Sequence, residues 1–198
     1  MRTLPLHHPE RRAVERALGL GRFRRVAWRA EGPVGACRAT VARRIGQSGG
    51  EGVGGWLIHH WPGLFVEAPF HCFWRSPEGD VFDLTEKYPG DPARQTTAVL
   101  SDIPGFSVGP PSRHHPLCAA PEVRVLLALS RAQAEHRLAL EGRVFARRGL
   151  RWPDGPLLGF ATGEERAELN HHETLVGRAM AGCFSVGLGL KVGQKRPR

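Results

Sequence analysis

The chain has 198 residues, 25 glycines, 16 prolines and a formal net charge of +9 at neutral pH. An apolar share of 41% is enough for one sizeable core and too high for a wholly disordered chain. The longest unbroken apolar run, Val125–Leu129, is far too short to cross a bilayer, and no apolar stretch follows Arg2 as a secretory leader would require, so a cytoplasmic protein without a membrane partner is expected.

In chain order, 9–20 predicts a short helix, with Val14, Ala17 and Leu18 on one side. An Arg-rich stretch with Phe23, Val26 and Trp28 follows, and Glu31-Gly-Pro-Val marks a turn. Val34, Cys37, Val41 and Ile45 recur at helical spacing over 34–45. Residues 51–60 and 64–74 predict two strands separated by Pro62-Gly63. Ser76-Pro-Glu-Gly79 is a hairpin turn that returns the chain along 81–84, and 96–100 predicts a fourth strand. Residues 104–121 are rich in Gly, Pro, Ser and His and predict a loop. Pro121 opens a helix that extends to about Arg148. Thr162-x-x-Glu165 is a capping box for a last helix to about Ala181.

This order predicts an α+β fold: a helix packed on a small antiparallel sheet, followed by C-terminal helices. The expected organisation is a basic segment 1–30, an α+β core 31–105, a linker 106–120, a helical part 121–182 and a basic tail 183–198. Residues 1–30 carry eight Arg against two Glu, so the charge is concentrated at the ends. Such termini hold phosphates through counterion release, which makes nucleic acid or an acidic partner one expectation; a general preference for Arg over Lys accounts for the same charge.

The chemistry-bearing block is 34–86. Cys37 falls near the start of a helix, His71 on a strand, and Asp83 on the strand that returns from the Ser76–Gly79 turn. A thiolate is the competent nucleophile, and a free thiol of pKa about 8.5 is mostly protonated at neutral pH. A helix N-terminus and a neighbouring imidazole both lower that value. A carboxylate fixes the imidazole tautomer. The hairpin places His71 opposite residue 85 or 86, with Asp83 diagonal to it. Taken alone, Cys37 reads sooner as a small apolar residue on a helix face, and only the ordered Cys–His–Asp pattern brings the catalytic reading level with it.

The pieces Cys37, Gly54-Gly55-Trp56, His71-Cys-Phe-Trp74 and Gly79-Asp-Val-Phe-Asp83-Leu-Thr85 stand in an order that resembles the core of transglutaminase-like, papain-like cysteine enzymes. The resemblance implies a papain-like core and a hydrolase or acyltransferase acting on an amide or ester of a protein or peptide-like substrate. It implies Cys37 as nucleophile, His71 as base and acid, Asp83 as orienter, and no cofactor. The Cys37 backbone N–H is the expected oxyanion donor. Trp56, Trp61 and Trp74 are candidates for the wall of a substrate cleft, against the simpler role of core packing. The Gly49–Gly55 run lacks the Lys-Ser/Thr ending of a nucleotide loop and predicts close backbone approach beside the nucleophile helix.

Val176-Gly-Arg178 with Cys183–Lys191 is similar to a SEC-C zinc motif that retains one cysteine, and so carries no zinc over. His114, His115 and Cys118, or His171, His172 and Cys183, offer metal-ligand atoms, but their spacing fits no finger and no metal site is assigned. The cysteines Cys37, Cys72, Cys118 and Cys183 contain no Cys-x-x-Cys pair and are expected as free thiols.

Overall fold

The computed structural model describes residues 1–107, 109–148 and 162–193, without the side chains of 145, 148 and 184–193. The fold is mixed α+β. Strands β1 (Arg2–Thr3), β4 (His59–Trp61), β5 (Phe65–Ala68) and β9 (Arg113–Pro116) form one antiparallel sheet in the order β1-β4-β5-β9. Strands β2 (Arg24–Gly32), β3 (Glu51–Leu57), β6 (Phe70–Arg75), β7 (Val81–Thr85) and β8 (Thr96–Pro104) close into a barrel in the order β2-β7-β6-β3-β8. Helices α1 (Arg11–Leu18), α2 (Cys37–Ser48), α3 (Pro121–Arg148) and α4 (Gly163–Gly193) complete the described residues.

The sheet expected to be antiparallel therefore closes through one parallel pair, β2 with β7. The strands expected at 51–60 and 64–74 are a single long hairpin that bends between the two sheets. Trp56 faces Phe70 in the barrel, and His59 faces Glu67 in the other sheet. The bend falls at Ile58 and Pro69. Ile58 N–H donates to Thr97 O, and Leu57 N–H donates to Pro69 O. Proline has no N–H for the ladder, so the strand breaks there.

Residues 1–30 are part of this body. Leu4, Val14, Leu18 and Phe23 share a buried cluster with Trp56, Ile58, Val66 and Val99 between the sheets. The expected linker 106–120 contains β9, which pairs residue for residue with β5, from Phe65 opposite Pro116 to Ala68 opposite Arg113. Inside the barrel, Val26, Leu57, Phe73 and Ala98 meet. Outside it, Val41 of α2 packs on Cys72, Trp74 and Leu84. Helices α3 and α4 seat Val123, Leu126 and Cys183 on Leu64 and Phe65.

Three helices begin or end differently from the sequence expectation; α1, expected over 9–20, spans Arg11–Leu18. Gly35 has φ +82, in the left-handed region, so α2 starts at Cys37 and runs on to Ser48. The capping box of α4 forms as expected: Thr162 N–H donates to Glu165 Oε2 at 2.7 Å, and Glu165 N–H donates to Thr162 Oγ1 at 3.3 Å. The helix then runs past Ala181 to Gly193. The stretch 176–191 that is similar to a SEC-C motif lies within α4, and its side chains from 184 onward lie outside the described residues, as do 194–198 of the basic tail. No described helix is long and apolar enough to cross a membrane.

The glycines of β3 let two backbones approach. A Cβ at Gly54 would stand 2.2 Å from the Ile103 carbonyl oxygen and 2.6 Å from the Phe70 ring. Gly46, inside α2, has open space around it. Gly54→Ala is expected to lower stability by about 1–3 kcal/mol, because backbone must move. Gly46→Ala is expected to raise it by about 0.5–1 kcal/mol, through helix propensity alone. Urea unfolding midpoints of the two variants check this opposite response.

Candidate active site

Cys37 is the first residue of α2, and no side chain caps that terminus. The helix dipole and its unpaired N–H groups thus point at the thiol. Behind it, Arg38 donates to Gly105 O and Ser107 O, which ties the start of α2 to the end of the barrel. The His71 imidazole and the Cys72 backbone N–H both favour the ionised Cys37 thiol.

His71 lies on β6, directly opposite Gly55 of β3. The hairpin register is the one the turn dictates: Arg75 faces Val81, and Trp74 faces Phe82. Continued along the strands, this sets His71 opposite Thr85, so Asp83 is its diagonal neighbour on the same face. His71 Nε2 is 3.1 Å from Asp83 Oδ1, and both side chains are buried. With Nε2 donating to the carboxylate, Nδ1 is the nitrogen that faces the thiol. Asp83 Oδ1 also accepts from Thr85 N–H at 3.1 Å and Thr85 Oγ1 at 2.7 Å. Its Oδ2 accepts from Thr96 Oγ1 at 2.7 Å.

These contacts set the protonation states. Burial pushes the Cys37 thiol up. The His71 charge and hydrogen bond, the Cys72 N–H and the Arg38 charge outweigh it and bring the thiol from 9.0 down to about 7. Burial pushes His71 down, but the Cys37 thiolate and the Asp83 carboxylate raise it to about 10. Burial likewise opposes ionisation of Asp83, and the hydrogen bonds from His71, Thr96 and Thr85 hold it well below the usual aspartate range. The pair is therefore a thiolate and an imidazolium over the interval between. Cys72, on the opposite face of β6, is driven up to about 12, by burial first and then by the neighbouring Cys37 charge. Burial also raises Cys183.

A cleft of about 480 Å³ opens over the three residues. None of the three tryptophans proposed as its wall lines it. Trp56 packs in the core against Phe70 at 5.5 Å between ring centres. Trp74 is buried under α2 and donates to Gly49 O. Trp61 stacks on Phe65. The apolar groups at the mouth are Val34 and Tyr88, both exposed. On the far side the lining comes from α3 and α4, through Gln133, Arg137, Glu141, Val176 and Met180.

The sequence argument missed a second polar row. His59, Glu67 and His114 stand opposite one another on β4, β5 and β9, and all three line the cleft. His114 Nε2 is 3.7 Å from Glu67 Oε1. Burial pushes Glu67 up, while His114, His59 and the Trp61 indole hold it below the usual carboxylate range. Burial takes His59 down to about 4, so it is neutral beside the His71 charge. The signal was the pair of His-His doublets, since one member of each must face inward on a strand; it became legible only once 113–116 was known to be a strand.

Comparison with protein-family models, with curated proteins and with solved structures finds no match for this chain in any of the three.

Two outcomes follow from the geometry. Alkylation of Cys37 is expected to show an inflection near pH 7, and Cys72 is expected to stay unmodified. In His71→Ala the inflection should move up toward an ordinary thiol, with the rate at pH 6.5 lower by at least about tenfold; peptide mapping after timed iodoacetamide exposure reads both. Asp83→Ala should cost about 3–5 kcal/mol at pH 7, because it strands a buried imidazolium. Asp83 ionises below its unfolded value, so its contribution is fully present above the usual aspartate range and is lost only in strong acid. Denaturant titrations of both proteins at neutral pH measure the difference.

Proposed function

We propose that this chain is a cysteine-dependent hydrolase or acyltransferase with a papain-like, transglutaminase-like core, acting on an amide or ester carbonyl. The observation that carries the reading is the contact series Cys37–His71–Asp83, with the thiol at an uncapped helix N-terminus and Nε2 of the imidazole 3.1 Å from the carboxylate.

The residues have distinct tasks. The Cys37 thiolate attacks the carbonyl carbon, and the carbonyl π pair moves onto oxygen. The Cys37 backbone N–H, at the positive end of α2, stabilises that oxyanion. The oxyanion collapses, the bond to the leaving nitrogen or oxygen breaks, and His71 Nδ1 delivers the proton to it. A water or an acceptor amine then enters. Neutral His71 takes its proton, and the second collapse releases the thiolate. Asp83 keeps Nε2 protonated through both halves, so a single nitrogen moves the proton.

The cleft supports an elongated acyl donor. Val34 and Tyr88 give it apolar contact at the mouth, and the row His59, Glu67 and His114 offers hydrogen-bond groups deeper in. Turnover of p-nitrophenyl acetate by the full chain tests the proposal. The expected result is a burst of one equivalent, with an acetyl group on Cys37 by mass spectrometry, and no burst in Cys37→Ala or His71→Ala. Acetylation that is absent, or spread evenly over the four cysteines, would overturn it.

A further inference from the structure

The α3–α4 seam carries a polar layer that the proposed chemistry does not use. Two apolar layers hold the hairpin, one of Val123, Leu126 and Cys183 near the sheet and one with buried Leu140, Val144 and Leu169 beyond it. Between them stand His136 of α3 and, one turn apart on α4, Glu168 and His172. The imidazoles of His136 and His172 stack at 4.6 Å. His136 Nε2 is buried and has no hydrogen-bond partner among the described residues; Glu168 Oε2 stands 3.5 Å away. A buried ring nitrogen without a partner is destabilising. One ligand atom from each of the three residues lies within 4.8 Å of the others.

We propose that His136, Glu168 and His172 form a binding site for a divalent metal ion of the zinc class, which clips α3 to α4. Two imidazoles and a carboxylate are a donor set suited to zinc and its borderline neighbours, with water as the fourth ligand. Ligand atoms around a tetrahedral ion at about 2.0–2.2 Å stand about 3.4 Å apart, so atoms now up to 4.8 Å apart close by as much as about 1.4 Å on loading. Glu168 is half exposed and free to swing in. The ion would take up the lone pair on His136 that the protein leaves unpaired. It would also hold in register the helix whose neighbouring residues, Gln133 and Arg137, line the cleft. This site is independent of the Cys37 chemistry, and neither of the His/Cys groups suggested by sequence spacing supplies it: His172 meets His136 and Glu168, not Cys183.

The test is cobalt(II) and zinc(II) binding to the full chain. The expected result is one equivalent of Co²⁺ with visible d–d bands of a low-symmetry, nitrogen- and oxygen-ligated ion, no thiolate-to-cobalt charge-transfer band, displacement by Zn²⁺, and a raised melting temperature with Zn²⁺. His136→Ala and His172→Ala should each weaken binding at least tenfold. Glu168→Gln, at an exposed position that spares folding, should weaken it as well; circular dichroism checks all three variants. No uptake at micromolar metal would overturn the proposal. So would affinity unchanged in Glu168→Gln and His172→Ala, or a thiolate charge-transfer band, which would put the ion at Cys37 instead.

Discussion

The site depends on one buried carboxylate. Moving an ionised aspartate out of water costs several kcal/mol unless its lone pairs are met. Asp83 is met by His71, by Thr85 twice and by Thr96, so its donors come from β6, β7 and β8. The same contacts that keep it charged also tie strands of the barrel together. Beyond Thr96 the chain of contacts continues outward. Lys87 Nζ donates to Thr96 Oγ1 at 2.7 Å and to Thr3 Oγ1 at 3.2 Å, and Thr3 donates to Asp91. Thr96 thus accepts from a cation and donates to an anion, which fixes the direction of its hydroxyl. Burial depresses Lys87, but Asp83 and Asp91 oppose that and favour its charged form.

From this anchor the polarity of the site follows. Asp83 fixes Nε2 of His71 as a donor, Nδ1 is left for the thiol, and the imidazolium lowers a cysteine that burial alone would have raised. The helix start acts in the same direction. Gly35 in the left-handed region ends the turn after Pro33, so the thiol sits on the first helical residue, where the dipole is strongest. Had α2 begun at Val34, as its apolar spacing suggested, Cys37 would lie a full turn deeper and its backbone N–H would be committed within the helix.

What was legible in the sequence is what local physics controls. Ser76–Gly79 fixes a tight turn, and a tight turn fixes register, so the diagonal relation of His71 and Asp83 could be read two strands away from any tertiary contact. The capping box at Thr162 is similarly local. Long-range closure was not legible. The parallel pairing of β2 with β7 leaves no trace in either strand's own pattern. Strand β9 hides in a stretch of Gly, Pro and Ser, because Arg113–Pro116 is held by its partner β5 and not by propensity. The tryptophans illustrate a different limit. A large ring fills a core and a cleft wall equally well, and only the position of neighbouring strands sent Trp56 and Trp74 inward.

Helices α3 and α4 complete the cleft over Cys37, His71 and Asp83. Cys37, His71 and Asp83 are held by α2 and the barrel alone, while α3 and α4 rest on Leu64 and Phe65 of the other sheet. The two sheets are joined through the continuous hairpin that bends at Ile58 and Pro69. Gln133, Arg137 and Glu141 of α3 line the cleft. On the proposed reading, reactivity rests on α2 and the barrel and access on α3 and α4, so sequence change in those two helices alters which acyl donor fits and change in the barrel strands alters the nucleophile.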